Sequence, residues 1–348
     1  MIAQRTKGFT IFAAIAMTHP AAAHHSEAGF DLESLLTLEG TVTEFEWRNP
    51  HVYLSLDTVQ ENGEALTWVV QTSSTVSLMR RGWTPETLAV GDRVAVTANP
   101  TRDGRLYAVL DELLTINDAD AQTVLSNGSG GVTVDQPDYF ATTIEGRWLT
   151  DRSRLGGFPG GLDELTSEQL VLTDEARAIQ ATFDESAEDN PELRCVGRPT
   201  PAMFVNPNYL LEIELDEAED LVYIRGQYMD QERVVYMDGR THPPPTQRFH
   251  EGHSTGTWEG DTLVVDTANF TDHPSPYQNG IPSGAQKHVV ERLSLTDEGR
   301  RLIVEFILDD PQYIAEPFQY AREFLYSPEA DMSPFDCDLE STRRFVPE

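Results

Sequence analysis

Lysine and cysteine are nearly missing from this chain. Two of each occur among 348 residues: Lys7 and Lys287, Cys195 and Cys337. A Schiff-base mechanism would therefore have only Lys287 to use once the N-terminal segment is removed. Long apolar runs are also lacking. The stretch from Phe9 to Met17 is too short to span a bilayer as a helix, and no later segment approaches the ~20 apolar residues that a spanning helix needs. Strands do not alternate with long helices, which argues against a doubly wound α/β fold. Positive charge is scarce as well. The net charge is -33, and loss of Arg5 and Lys7 takes it to -35. Such a surface repels phosphate backbones and anionic membranes, so no nucleic-acid partner and no membrane span are expected. The acidic balance reads as a high-salt adaptation or as provision for a cationic ligand.

The N-terminus has the three parts of a secretory signal peptide over residues 1–23: Arg5 and Lys7, the apolar run, and the small residues Ala21-Ala22-Ala23. Cleavage there predicts a periplasmic or secreted protein starting at His24. In an oxidising compartment Cys195 and Cys337 read as a disulfide, which disfavours a cysteine nucleophile. Its closed loop of well over 100 residues would add roughly 4 kcal/mol in the loop-entropy account.

What the chain does contain is strand signal. Val52, Leu54 and Leu56 alternate with polar neighbours in one half-buried strand. Around it, Gly40 to Trp47 and Leu66 to Thr72 read as strands, and Ser74 to Arg81 as a short helix. Thr84-Pro85 reads as a further helix start, and Gly91 to Ala98 and Leu106 to Ile116 as two more strands. Three strands, a helix and two strands is the order of a small OB-like barrel, placed at residues 24–118. The run Ser126-Asn127-Gly128-Ser129-Gly130-Gly131 marks a linker, placed at 119–139. Residues 140–348 predict a helix from Asp174 to Phe183 and eight or nine strands joined by short polar turns. The expected fold is thus all-β: a small OB-like barrel, then a larger antiparallel β-barrel or curved sheet with one or two short helices, able to hold a small ligand in its mouth.

The segments His24-His25-Ser26, Leu38 to His51 and Arg80 to Asp92 together resemble a family of secreted bacterial proteins of unknown function. Tyr236 to Pro243 and Gly252 to Phe270 resemble the C-terminal segment that often accompanies it. The resemblance implies an exported, two-part architecture and brings no activity with it.

Three constellations could carry chemistry. A mature chain starting at His24 offers an α-amine and an imidazole, and with His25 and His51 these form a nitrogen set suited to copper or zinc; the alternative is a plain tail. His242, His250 and His253 cluster in sequence, but the spacing of His250-Glu251-Gly252-His253 is three, and Pro243 to Pro245 mark a loop. A helical zinc-protease motif is therefore disfavoured, while a loop-based zinc site and simple backbone hydrogen bonding both stay open. Gly252 to Gly256 matches G-x-S-x-G, but a hairpin turn follows where a nucleophile elbow needs a helix.

Strand parity supplies a fourth. In either register of the hairpin His253 to Trp258 and Thr262 to Phe270, His253, Thr255 and Asp266 share a face, with Val264 and Phe270 beside them. A carboxylate next to an imidazole makes a general base. Glu291 and Arg322 fall in step with apolar neighbours, and these core-facing charges could partner one another. The candidate catalytic residues are therefore His253, Asp266, Glu291 and Arg322, with Thr255, Val264, Phe270, His250 and His288 contacting a ligand. Two functions follow. One is an exported binding protein for a small apolar or aromatic molecule, with a possible metal at the N-terminal histidines. The other is a cofactor-independent lyase, isomerase or hydrolase with a His/Asp general base.

Overall fold

The computed structural model describes residues 29–59, 63–116, 124–126, 138–151 and 169–344. Strands dominate, and they close into two barrels of five and nine strands.

The first barrel holds β1 (Leu36–Glu46), β2 (Tyr53–Val59), β3 (Ala65–Gln71), β4 (Arg93–Pro100) and β5 (Tyr107–Thr115). The order β3-β2-β1-β4-β5 closes through a parallel β3–β5 pairing. A short helix, α1 (Thr75–Met79), lies between β3 and β4, as in an OB barrel. Ser74 caps it by accepting from the Ser77 amide. Val52, Leu54 and Leu56 are fully buried, as their alternation predicts, yet Tyr53 is buried too. The outer face of β2 is covered: Tyr53 packs with Phe30, Tyr107 and Val109, and its hydroxyl donates to the Ser341 carbonyl 3.0 Å away. At Thr84-Pro85, expected to start a helix, the chain turns instead. The Thr84 hydroxyl accepts from the Glu86 amide, and Gly91 at φ 100° leads straight into β4. Within 119–139, the stretch read as a linker, β6 (Val124–Ser126) pairs antiparallel with β5.

The second barrel holds β7 (Gly146–Thr150), β8 (Leu210–Asp216), β9 (Leu221–Gly226), β10 (Gln231–Tyr236), β11 (His253–Glu259), β12 (Thr262–Ala268), β13 (His288–Thr296), β14 (Arg301–Asp309) and β15 (Phe318–Tyr326). Two short helices accompany it, α2 (Asp174–Gln180), capped by Thr173, and α3 (Ala202–Val205). One pairing departs from the antiparallel expectation: β10 and β11 run parallel, with Val235 opposite Ser254. A parallel pair needs a return crossing, and residues 237–252, which carry Pro243 to Pro245, provide it. Gly256 suits this seam, because a Cβ there would collide with the Met237 sulfur.

The barrel is filled. Trp148, Leu211, Ile224, Val235, Leu263, Leu293, Val304 and Phe324 pack across its axis, and Met203 and Phe204 of α3 join them. Nine strands leave an interior that side chains of this size fill where these residues meet. A second apolar group, including Phe270, Tyr277, Val289 and Phe318, fills the other half.

After β15 the chain crosses to the first barrel. Phe335 is fully buried against Tyr209 and Tyr228, and Asn49 forms a backbone bridge with Cys337. Cys195 and Cys337 form a disulfide. From the first barrel, Arg80 donates to Gln227 at 2.7 Å, while Ser74 and Tyr209 join hydroxyls at 3.2 Å. The tail thus clasps the two barrels together.

Candidate functional site

Between the barrels lies a cavity of about 330 Å³. The first barrel contributes Pro50, His51 and Ser73, Ser74 and Ser77; the second contributes Arg198, α3 and the start of β8; Thr342 of the tail completes it. The Glu192 carboxylate in its wall is neutralised in place. Arg198 donates to Glu192 at 2.5 Å, and the Tyr228 hydroxyl donates to the other Glu192 oxygen at 2.8 Å. Burial holds the phenols of Tyr209 and Tyr228 above their ordinary pKa, so both stay protonated. Burial also lowers the His51 pKa; its neutral ring donates from Nδ1 to the Thr72 carbonyl at 2.9 Å, leaving Nε2 as the lone-pair nitrogen. Phe183, Met203, Met229 and the tyrosine rings form the less polar walls. Sequence reading missed this site apart from His51, because it forms only when segments far apart in the chain meet.

The residues selected by parity do come together, but on the outside. His253 pairs with Ala268 and Thr255 with Asp266, so His253, Thr255, Val264 and Asp266 share the outer face of the β11–β12 hairpin. Leu263, Val265 and Thr267 point inward. Phe270 leaves this face because Asn269 adopts φ 60°, which breaks the alternation and buries the ring. His288, at the head of β13, joins the outer group. His250 does not: its Nε2 donates to the Gly197 carbonyl at 2.7 Å.

His242, noted in the sequence only as one of a cluster, is the link. Its Nε2 lies 2.7 Å from Asp266 Oδ1, and its Nδ1 lies 2.9 Å from His253 Nδ1. His288 Nε2 takes the other Asp266 oxygen at 3.0 Å. With His242 donating to the carboxylate, its Nδ1 accepts from His253, and His253 Nε2 is left with a lone pair. The bond from His288 holds Asp266 below the usual carboxylate range, and the same bond raises His288. Desolvation, then the neighbouring His242, lowers His253, which therefore stays neutral near pH 7. Tyr236 stacks on its ring at 5.1 Å.

These nitrogens bond to one another rather than converge on one point. Among the described residues no group of three His, Cys, Asp or Glu is arranged to hold a metal ion. His24 and His25 lie outside the described residues, so the copper or zinc proposal rests on His51 and on sequence alone.

Glu291 and Arg322 both point into the lumen, as their parity predicts, but they do not pair. Glu291 accepts from Arg233 Nη1 at 2.6 Å, and Arg322 donates to the Val205 carbonyl at 2.8 Å. Closure of the barrel places β10 across the lumen from β13, and Arg233 reaches Glu291 first.

Beside the cavity, residues 271–287 form a wall whose Ser275 and Gln278 face it. In that wall His273 is buried, and its Nδ1 accepts from the Ser275 amide at 3.1 Å, so the proton sits on Nε2. Burial pushes its pKa down to about 2. Between pH 6.5 and that value the unfolded chain binds a proton that the folded chain refuses, so stability should fall on acidification, by up to about 1.4 kcal/mol per pH unit. Denaturation curves at pH 7, 6 and 5 should show this slope, and His273→Asn, which keeps an acceptor, should flatten it. An unchanged slope in the variant would refute the assignment.

Fold and cavity define a two-barrel all-β protein with a binding-sized space at the junction. Residues 13–109 match the model of a family of unknown function (DUF6152). No curated protein matches the chain. Among matching solved structures is a variant of the fluorescent protein UnaG, at 14% identity and a TM-score of 0.23, covering 40% of this chain and 87% of that one. Among the described residues no helix is long and apolar enough to cross a membrane.

Proposed function

We propose that this is an exported binding protein that holds one small neutral molecule, with polar groups on an aromatic or apolar frame, in the cavity between its barrels. The observation that carries the reading is the lining itself: the Glu192 carboxylate is matched by Arg198 and Tyr228, and amides and hydroxyls sit among aromatic and thioether walls. Such a lining favours an uncharged ligand, and junctions between folded units are common binding sites. Residues 1–23 and the disulfide support export. Protein recovered natively from the exporting cells should carry an organic molecule, extractable with methanol and seen by mass spectrometry. Asn208→Trp, which fills the cavity, should lose it. Identical, ligand-free extracts from both proteins would overturn the reading.

A second reading has its own observation, the chain Asp266, His242, His253. It leaves a lone-pair nitrogen on His253, oriented through His242 by a carboxylate, which is the layout of a general base in hydrolysis. Hydrolysis of 4-nitrophenyl acetate at pH 7.5 should fall on the order of 100-fold in His253→Ala and in Asp266→Asn, in line with general-base contributions. Both variants should stay within about 2 kcal/mol of the wild type in stability, since the side chains are partly exposed. Equal rates in wild type and variants would remove the base.

A further inference from the structure

Lys287 is the only lysine beyond residue 23, and the structure buries it completely. In a chain whose other side-chain cations beyond residue 23 are arginines and histidines, the one lysine sits where no solvent reaches it. The amine sits over two ring faces and makes no hydrogen bond. Its Nζ lies 4.3 Å from the centre of the Phe270 ring and 5.1 Å from that of Tyr277. Around it are groups able to move protons. The Tyr277 hydroxyl donates to Asp310 Oδ2 at 3.0 Å, while Asp310 Oδ1 is buried without a partner, as is Nε2 of His273. A buried polar group left unbonded is destabilising, and Lys287 Nζ, Asp310 Oδ1 and His273 Nε2 are three such atoms.

We propose that Lys287 is a nucleophilic amine that forms a Schiff base with a small aldehyde or ketone, with Asp310 as the group that moves protons. The neutral amine attacks the carbonyl carbon, the carbonyl π pair passes to oxygen, and the Asp310 carboxylate takes a proton from the nitrogen and hands it to that oxygen. The nitrogen lone pair then expels the hydroxyl, which leaves as water with the last N–H proton carried across by Asp310, and a neutral imine remains. The carbonyl oxygen departs with the two amine hydrogens, so atoms and electrons balance without an oxidant. Desolvation favours attack: it brings the amine down to about 7, so above neutrality much of it is the free base beside an ionised Asp310 that can accept a proton, the Asp310 carboxyl itself being pushed up to about 6. Glu251, Glu291 and Arg233 also act on the amine, the carboxylates raising its basicity and the guanidinium lowering it.

The inference rests on the proposed cavity only for the route in, through the wall carrying Ser275 and Gln278. The mature protein is incubated with butyraldehyde and sodium cyanoborohydride at pH 7.5, and adducts are located by peptide mapping; Lys287 and the N-terminal amine fall in different peptides. Lys287 should be alkylated at least tenfold faster in the native protein than in the guanidinium-unfolded chain, where an ordinary amine is mostly protonated. Slower labelling in the native state, the protection shown by a buried structural cation, would overturn the proposal. Lys287→Met should show no adduct at that position, and if it fails to fold, the wild-type comparison decides alone. Asn208→Trp should slow labelling at least tenfold. An unchanged rate there would overturn the cavity as the route and count against the binding reading, while leaving the amine chemistry standing.

Discussion

Glu291→Gln should destabilise the protein by about 3–5 kcal/mol, the usual cost of stranding one partner of a buried ion pair. Arg233 and Glu291 are 1% and 0% exposed and meet at 2.6 Å. The Thr200 hydroxyl donates to the second Glu291 oxygen at 2.5 Å, and Arg233 also donates to Thr267, whose hydroxyl meets that of Ser254 at 2.9 Å. A guanidinium does not shed its proton in a protein, so removing the carboxylate leaves a fixed charge over the Phe204 ring without its contacting counter-ion. The reverse change is milder, because Glu291 facing no arginine can take up a proton. Arg233→Met should therefore cost less than Glu291→Gln, and less still at pH 5 than at pH 8. Replacing both by Met should recover most of the loss. Urea denaturation of the three variants checks the ordering. A Glu291→Gln cost below about 1 kcal/mol would mean that water reaches the pair.

The parts of this structure legible in the sequence are those that depend on local periodicity. The alternation of Val52, Leu54 and Leu56 and the turns around it disclose the small barrel, because one face of each strand meets a single core. Parity also places His253, Thr255 and Asp266 on one face. It does not tell which face is inner, since both are mixed: Val264 lies outside while Ser254 and Thr267 lie inside. Inward Glu291 is legible from Val289 and Leu293, but its partner is not, because Arg233 arrives across a lumen whose closure no neighbouring residue announces. Phe270 is misplaced by one left-handed residue, Asn269. The cavity is the least legible feature. It needs the tail to return to the first barrel, pairing Asn49 with Cys337 and Tyr53 with Ser341, and periodicity carries no trace of contacts so distant.

Loss of the Cys195–Cys337 bond should have an effect of similar size and a different character. The two cysteines are 142 residues apart in sequence, so the bond closes a long loop and withdraws much entropy from the unfolded chain, worth roughly 4 kcal/mol. The folded state also has reason to feel the loss. Cys337 lies in the tail between Phe335, buried on Tyr209 and Tyr228, and Asp338, whose amide donates to the Asn49 carbonyl at 2.8 Å. Thr342, further along the same tail, lines the cavity and donates to the Leu193 carbonyl at 2.9 Å. The Cys195→Ala, Cys337→Ala double variant should therefore unfold at a lower denaturant concentration, by roughly 4 kcal/mol, and its tail should exchange amide hydrogens faster than the barrels before global unfolding. Faster exchange at Asp338 without faster exchange in β12 or β13 would locate the opening at the clasp. Denatured, unreduced wild type should show no free thiol. Two free thiols per chain, or a double variant as stable as the wild type, would refute the bond's role.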